Sequence, residues 1–213
     1  MKVDQSHQKR RGRPPKARDT LIETRELLLR AGLEVLTEKG FSTSGIDEIL
    51  SRVGVPKGSF YHYFDNKEAF GSELIERYAQ YFATKIERHL RNEMLSPLDR
   101  LKAFIEDASL SMERYAYRRG CLVGNLGQEA GVLPQRLRTQ IKDVFSDWEV
   151  RLLRCLDEAK ADGQISVSAD TTQLASFFWI GWEGAVLRAK LERCGEPLRI
   201  FSQGFFAVLT PAT

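Results

Sequence analysis

The run Lys57-Gly58-Ser59-Phe60-Tyr61-His62-Tyr63-Phe64 carries the densest chemistry in the chain. On a helix, Phe60 and Phe64 lie one turn apart on a face that packs inward, which leaves Lys57, Ser59, Tyr61, His62 and Tyr63 facing out. An ammonium, hydroxyls and an imidazole on one exposed face are hydrogen-bonding groups for phosphates and base edges. Gly58 among them lets a backbone come close. An exposed aromatic and polar face after Pro56 has no packing rationale, so this set points to a duplex nucleic acid.

A second chemical segment is Arg118-Arg119-Gly120-Cys121, continued by Asn125 and Gln128. Cys121 is expected in the first turn of a helix just after two arginines, and both the helix terminus and the guanidinium charges favour a thiolate. The opposing expectation is an ordinary buried thiol that acts as a small hydrophobe. A third segment runs from Phe177 to Lys190 and is apolar nearly all round. Gly181, Gly184, Ala185 and Ala189 allow close approach of a partner helix, while Trp179, Glu183, Val186 and Lys190 share another stripe and Trp182 lies between. One face is then free to dimerise and the other to line a pocket. Core packing is the commoner role for such aromatics, but Glu183 and Lys190 are charges in an apolar helix and require partners.

Catalysis is not expected. A nucleophilic Cys121 would need a base, and His7, His62 and His89 lie in a basic tail, the polar helix and a long helix far along the chain. No Gly-rich phosphate loop, nucleophile elbow or zinc-protease motif occurs. Cys121, Cys155 and Cys194 have spacings that fit neither a disulfide framework nor a metal site, so neither metal nor cofactor is expected.

Residues 1–18 hold seven cations against Asp4, a net +6, whereas the whole chain is +3. A basic arm on a mildly acidic body reaches for a polyanion with one end. Arg11-Gly12-Arg13-Pro14 within it is similar to an AT-hook, in which both arginines lie in an A·T-rich minor groove; the alternative is a solvated tail that adds only phosphate affinity. Residues 19–64 hold five basic side chains against seven acidic ones, so the folded part of the DNA-binding region is itself net negative.

These groups must be positioned by helices. Asp19 is the expected N-cap of a first helix that ends at Lys39-Gly40. Thr43 or Ser44 caps a short second helix carrying Ile46, Ile49, Leu50 and Val53, which Gly54 ends, and Pro56 opens a third from Lys57 to Tyr63. Two short helices joined by a tight turn cross steeply enough for the second to enter a major groove. Further helices are expected at about 67–92, 97–117, 121–129, 134–161, 170–193 and 198–209, bounded by Pro and Gly signals. The fold class is all-α, with a basic arm over 1–18, a helix-turn-helix domain over 19–65 and a regulatory and dimerisation domain over 66–213. No run is apolar enough for a membrane span or a secretory signal, which makes the cytoplasm the default compartment.

Val55-Pro56-Lys57-Gly58-Ser59-Phe60-Tyr61-His62-Tyr63-Phe64, followed by Asn66-Lys67-Glu68, resembles the signature of the TetR family of transcriptional regulators. The resemblance implies a homodimer on a palindromic duplex DNA operator, released when a small-molecule inducer binds the C-terminal domain. By match to the motif, Thr43, Ser44, Lys57, Gly58, Ser59, Tyr61, His62, Tyr63 and Lys67 become DNA contacts. Gly120 to Leu126, Trp179 to Gly184 and Ala189-Lys190 further resemble acrylate-responsive repressors of that family and, more distantly, electrophile-sensing ones. That implies a small unsaturated carboxylate as inducer, with Arg118, Arg119, Arg188 and Lys190 as the available counter-charges, or covalent sensing at Cys121 near Lys190, and the two are not exclusive. An architectural DNA protein built around the arm is the rival class, and would need no pocket in its C-terminal domain.

Overall fold

The computed structural model describes residues 18–209, with side chains from residue 23 onward. The basic arm, Arg11 and Arg13 included, lies outside the described residues. Every regular element among them is a helix: α1 Arg18–Lys39, α2 Ile46–Val53, α3 Lys57–Tyr63, α4 Lys67–Leu90, α5 Pro97–Arg114, α6 Leu122–Gly127, α7 Gln135–Ala161, α8 Thr171–Glu192 and α9 Glu196–Leu209. The all-α expectation holds.

The local chemistry of the helix ends explains most of these limits. Asn66 caps α4 by accepting the Ala69 N–H at 2.8 Å, and Asp170 caps α8 by accepting that of Gln173 at 3.0 Å. Ser96 precedes Pro97 and accepts from Asp99 at the start of α5. Gly54 adopts φ +71° and ends α2, a backbone conformation in which only glycine is unstrained. Pro56 stands at the N-cap of α3.

Several expected ends differ: α4 stops at Leu90, α6 at Gly127, and α9 begins at Glu196. Asp19 lies inside α1, which begins one residue earlier. Thr43 and Ser44 do not cap α2; its N-cap is Gly45, without a side-chain bond. Their hydroxyls turn back instead, Thr43 to the Lys39 carbonyl at 2.8 Å and Ser44 to that of Gly40 at 2.5 Å, so they satisfy the open carbonyls at the C-terminus of α1. Helix α5 stops at Arg114 because Ala116 and Tyr117 take φ of +50° and +53°, which turns the chain sharply into the α5–α6 connection.

The first three helices are seated on α4. Phe60 of α3 is fully buried, and its ring and that of Phe64 lie 5.1 and 4.8 Å from Phe70 in the first turn of α4. Behind them α4 packs against α5 and α7, and α7 against α8, around Phe82, Phe104, Trp148 and Trp179. Helices α8 and α9 form a hairpin in which Gly181 gives room to the Phe201 ring. One continuous apolar core thus runs from the base of α3 to the far end of α9.

Candidate functional site

The recognition face is built as the spacing requires. Pro56 fixes the entry to α3, Phe60 and Phe64 anchor it, and Lys57, Gly58, Tyr61 and His62 are exposed while Ser59 and Tyr63 are half-buried. Nothing stands within 4 Å of where a side chain on Gly58 would begin, so the backbone there is open to an approaching surface. Lys57 leans on Asp47 of α2 at 3.1 Å, with both side chains exposed and free to exchange that contact for a phosphate.

Two residues expected on this face are engaged elsewhere. Ser44 is 2% exposed and its hydroxyl is bound to Gly40. Lys67 turns inward, donates to the Phe41 carbonyl at 2.6 Å and stands 4.5 Å over the Phe41 ring. Burial holds its ammonium below the ordinary lysine range, against the raising effect of Glu129. Thr43 remains exposed at the same corner.

The second assembly is a cavity of about 320 Å³ between α1, α4, α5, the α5–α6 connection and α8. Phe82, Met112, Trp182 and Val186 give it apolar walls, and Cys121 and Arg119 reach it from the connection. Leu33 and Thr37 of α1 also line it, so the cavity touches the same helix that carries the helix-turn-helix. Its charged lining residues are Lys85 and Arg119, both cations. Lys85 is only 7% exposed and is held by the Ser111 hydroxyl at 2.8 Å and the Asp107 carbonyl at 3.2 Å. Its burial lowers the pKa, while Asp107 works in the opposite sense.

The thiolate expected at Cys121 is not supported by this setting. The side chain is buried at the N-cap of α6, where its Sγ accepts the Gly124 N–H at 3.3 Å. Burial, followed by the charge of Glu183, pushes the thiol well above its usual range. The two arginines before it are engaged otherwise: Arg118 is exposed, and Arg119 faces Glu34 and Glu38. Burial raises Glu183 to about 7, and its carboxyl lies directly against Gly124, where any side chain would collide with it.

The remaining expected ligand residues divide. Trp182 and Cys121 line the cavity; Gln128 is an exposed C-cap of α6, and Trp179 sits in the core behind Phe82 with its indole N–H unbonded. Lys190 stands 3.4 Å from the Asn125 Oδ1, and Asn125 donates to the Thr37 carbonyl at 2.6 Å. Asn125 is therefore a link between α6 and α1. The small-residue stripe of α8 also divides, since Gly181 packs on Phe201 and Ala185 and Ala189 are buried, which leaves Gly184 exposed.

Residues 28–74 match the family described as "Bacterial regulatory proteins, tetR family", and residues 97–205 match "Tetracyclin repressor-like, C-terminal domain". The chain belongs to the TetR family. It is 50% identical to the transcriptional regulator AcuR of Cereibacter sphaeroides over 92% of this chain and 89% of that one. It is 30% identical to the HTH-type transcriptional repressor NemR of Escherichia coli K12 over 83% of this chain and 88% of the other. The crystal structure of a regulatory protein TetR from Rhodobacter sphaeroides superposes with a TM-score of 0.85 at 50% identity, covering 86% of this chain and 97% of that one.

Within this TetR fold, several contributors had no motif to announce them. Lys85 was legible in principle, as a lysine on the buried stripe of Ile75, Phe82 and Ile86. Tyr78, Ser111 and Tyr115 reach the cavity only through the helix arrangement. Glu129 carries no local signal at all, yet its carboxylate accepts the N–H groups of Phe41 and Ser42 in the α1–α2 turn. Among the described residues no helix is long and apolar enough to cross a membrane.

Proposed function

We propose that this protein is a transcriptional repressor that binds a palindromic operator as a homodimer and is released by a small anionic inducer, of which acrylate is the type. In this reading residues 19–65 bind DNA, residues 66–213 dimerise and sense, and the arm before them adds affinity for the duplex. The observation that carries it is the cavity whose only charged lining residues are cations and whose wall includes Leu33 and Thr37 of α1. An apolar enclosure of that size suits a small organic ligand, and paired cations select a carboxylate. The inducer's counter-charges become Lys85 and Arg119. Arg188 is exposed and bound to Glu192 of its own helix, and Arg118 and Lys190 do not line the cavity.

Dimerisation is supported by the outer face of the α8–α9 hairpin. Phe177, Ile180, Leu187 and Leu191 of α8 and Ile200 and Val208 of α9 are exposed on it, with Gly184 among them. An apolar surface of that extent on an otherwise charged protein marks an interface. The relatives AcuR and NemR bear the names of a regulator and a repressor, which supports repression over structural DNA binding.

Covalent capture at Cys121 is the alternative function. Cys121 does line the cavity. Its thiol is held protonated, however, and its neighbour Glu183 is itself pushed toward the neutral form, so reversible binding fits the site better. The test is selection of bound duplexes from a random pool by the full chain, followed by sedimentation of the complex. Two protomers on an inverted repeat are expected, and Ile180→Asp should leave monomers that bind it at least tenfold more weakly. Recovery of duplexes without symmetry, or tight binding by the monomer, would contradict the proposal.

A further inference from the structure

Arg119 stands where the cavity meets the DNA-binding domain. On one side it lines the cavity. On the other, its Nη2 lies 3.2 Å from Glu34 Oε1 and its Nε 3.5 Å from Glu38 Oε1, while its guanidinium sits 4.3 Å over the Tyr115 ring. Both ion-pair distances are long beside the ~2.7–2.9 Å of a tight charge-assisted hydrogen bond. The contact is loose.

Glu34 and Glu38 lie one turn apart on α1, and their other oxygens face Arg52 of α2 at 3.7 and 3.1 Å. Arg52 also reaches Glu48 on its own helix at 3.5 Å. Two carboxylates are therefore shared between a guanidinium on the cavity wall and a guanidinium inside the helix-turn-helix. Lys85 differs from Arg119 in this respect. Its counter-ion, Asp107 at 3.4 Å, belongs to the sensing domain itself and is shared with Arg88 and His89. Of the two cations on the cavity wall, Arg119 is the one whose partners belong to α1.

We propose that the carboxylate of a ligand in the cavity competes with Glu34 and Glu38 for Arg119, so that filling the cavity leaves both glutamates to Arg52 and loosens α1 from the α5–α6 connection. The inference rests on the cavity being the inducer site. Coupling of this kind is reciprocal, and its signs are fixed. Removing the glutamates takes away the ligand's competitor and tightens ligand binding. Removing Arg52 leaves the glutamates with fewer partners, strengthens their hold on Arg119 and weakens ligand binding.

The test is calorimetric titration of the full chain with acrylate, with neutral acrylamide as control. Glu34→Gln/Glu38→Gln should lower the acrylate Kd by about three- to tenfold, and Arg52→Gln should raise it by a similar factor. Arg119→Gln should weaken it by more than tenfold, and no variant should gain affinity for acrylamide. If the double variant does not fold, Glu34→Gln and Arg52→Gln carry the same opposed signs. Acrylate binding by the wild type that is unchanged or weakened in the glutamate variants would overturn the competition alone. A wild type that takes up no acrylate would overturn both the competition and the proposed inducer.

Discussion

Glu129 accepts a hydrogen bond from the backbone N–H of Phe41 at 2.8 Å, across 88 residues of sequence. Its second oxygen takes the N–H of Ser42 at 2.6 Å, so one carboxylate just beyond α6 closes over the α1–α2 turn. Gly40 makes this possible, since it takes φ +91° and any side chain there would fall on the Glu129 carboxylate. Lys67 binds the carbonyl of the same Phe41, and Asn125 binds the Thr37 carbonyl four residues earlier in the chain. Helix α6 and the turn just after it thus hold the end of α1 at two places, through Asn125 and Glu129.

Glu129→Gln should remove one of the two carboxylate acceptors of the turn and place an amide N–H against a backbone N–H. A loss of about 1–3 kcal/mol is expected in urea unfolding, because a hydrogen bond to a charged group is lost. Gly40→Ala should cost at least as much, through strain at positive φ and collision with Glu129. Unchanged unfolding midpoints in both variants would remove Glu129 from the interface.

Glu183 gives a pH dependence of stability. Its folded pKa of about 7 lies above the ordinary carboxyl value of 4.5, so the folded state retains a proton that the unfolded chain loses first. The stability it contributes is complete below about pH 4.5, is lost as pH rises to about 7, and stays lost above that. Wild type should therefore fall relative to Glu183→Gln by about 2–3 kcal/mol between pH 4.5 and 8, measured by denaturant unfolding. A difference that is flat across this range would mean that Glu183 is ionised in the folded protein.

The cysteines should react in order of exposure. Cys194 is half-buried, whereas Cys121 is raised by burial and Glu183, and Cys155 is pushed up by burial to about 12. Mass spectrometry during N-ethylmaleimide treatment at pH 7.5 should find Cys194 modified first and Cys121 at least tenfold more slowly. Cys121 reacting first would restore the thiolate expected from its neighbours in sequence and favour covalent sensing.

DNA affinity should divide between the recognition helix and the arm. Lys57→Ala and Tyr61→Ala should each weaken operator binding by about three- to thirtyfold without changing stability, since both side chains are exposed. Removal of residues 1–18 should weaken binding more evenly across sequences and flatten its dependence on salt. Ser44→Ala should act on stability, because its buried hydroxyl is bound to Gly40. Equal salt slopes with and without the arm would deny it an electrostatic role.

Much of the fold was legible because its signals are local. Pro56, Gly54, Asn66 and Asp170 mark helix ends through their own backbone or side-chain chemistry, and Phe60 and Phe64 reveal the face on which α3 rests. The recognition face follows from that register. Residues that act across the sequence were not legible. Lys67 and Ser44 look like surface contacts until Phe41 and Gly40 are seen to occupy them, and Glu129 pairs with a turn that no spacing connects to it. The choice between thiolate and buried thiol at Cys121 was open for the same reason: Arg119 is two residues away in sequence, but it lies beside Glu34 and Glu38 of α1, and a glutamate from α8 fills the space beside the thiol.

The most direct measurement follows the fluorescence anisotropy of a labelled operator duplex bound by the full chain while acrylate is added. Acrylate should release wild type at a concentration at least tenfold below that needed for Lys85→Met or Arg119→Gln, and acrylamide should release none of them. Equal release of all three proteins, or release by acrylamide as readily as by acrylate, would contradict a cavity that recognises its inducer by charge.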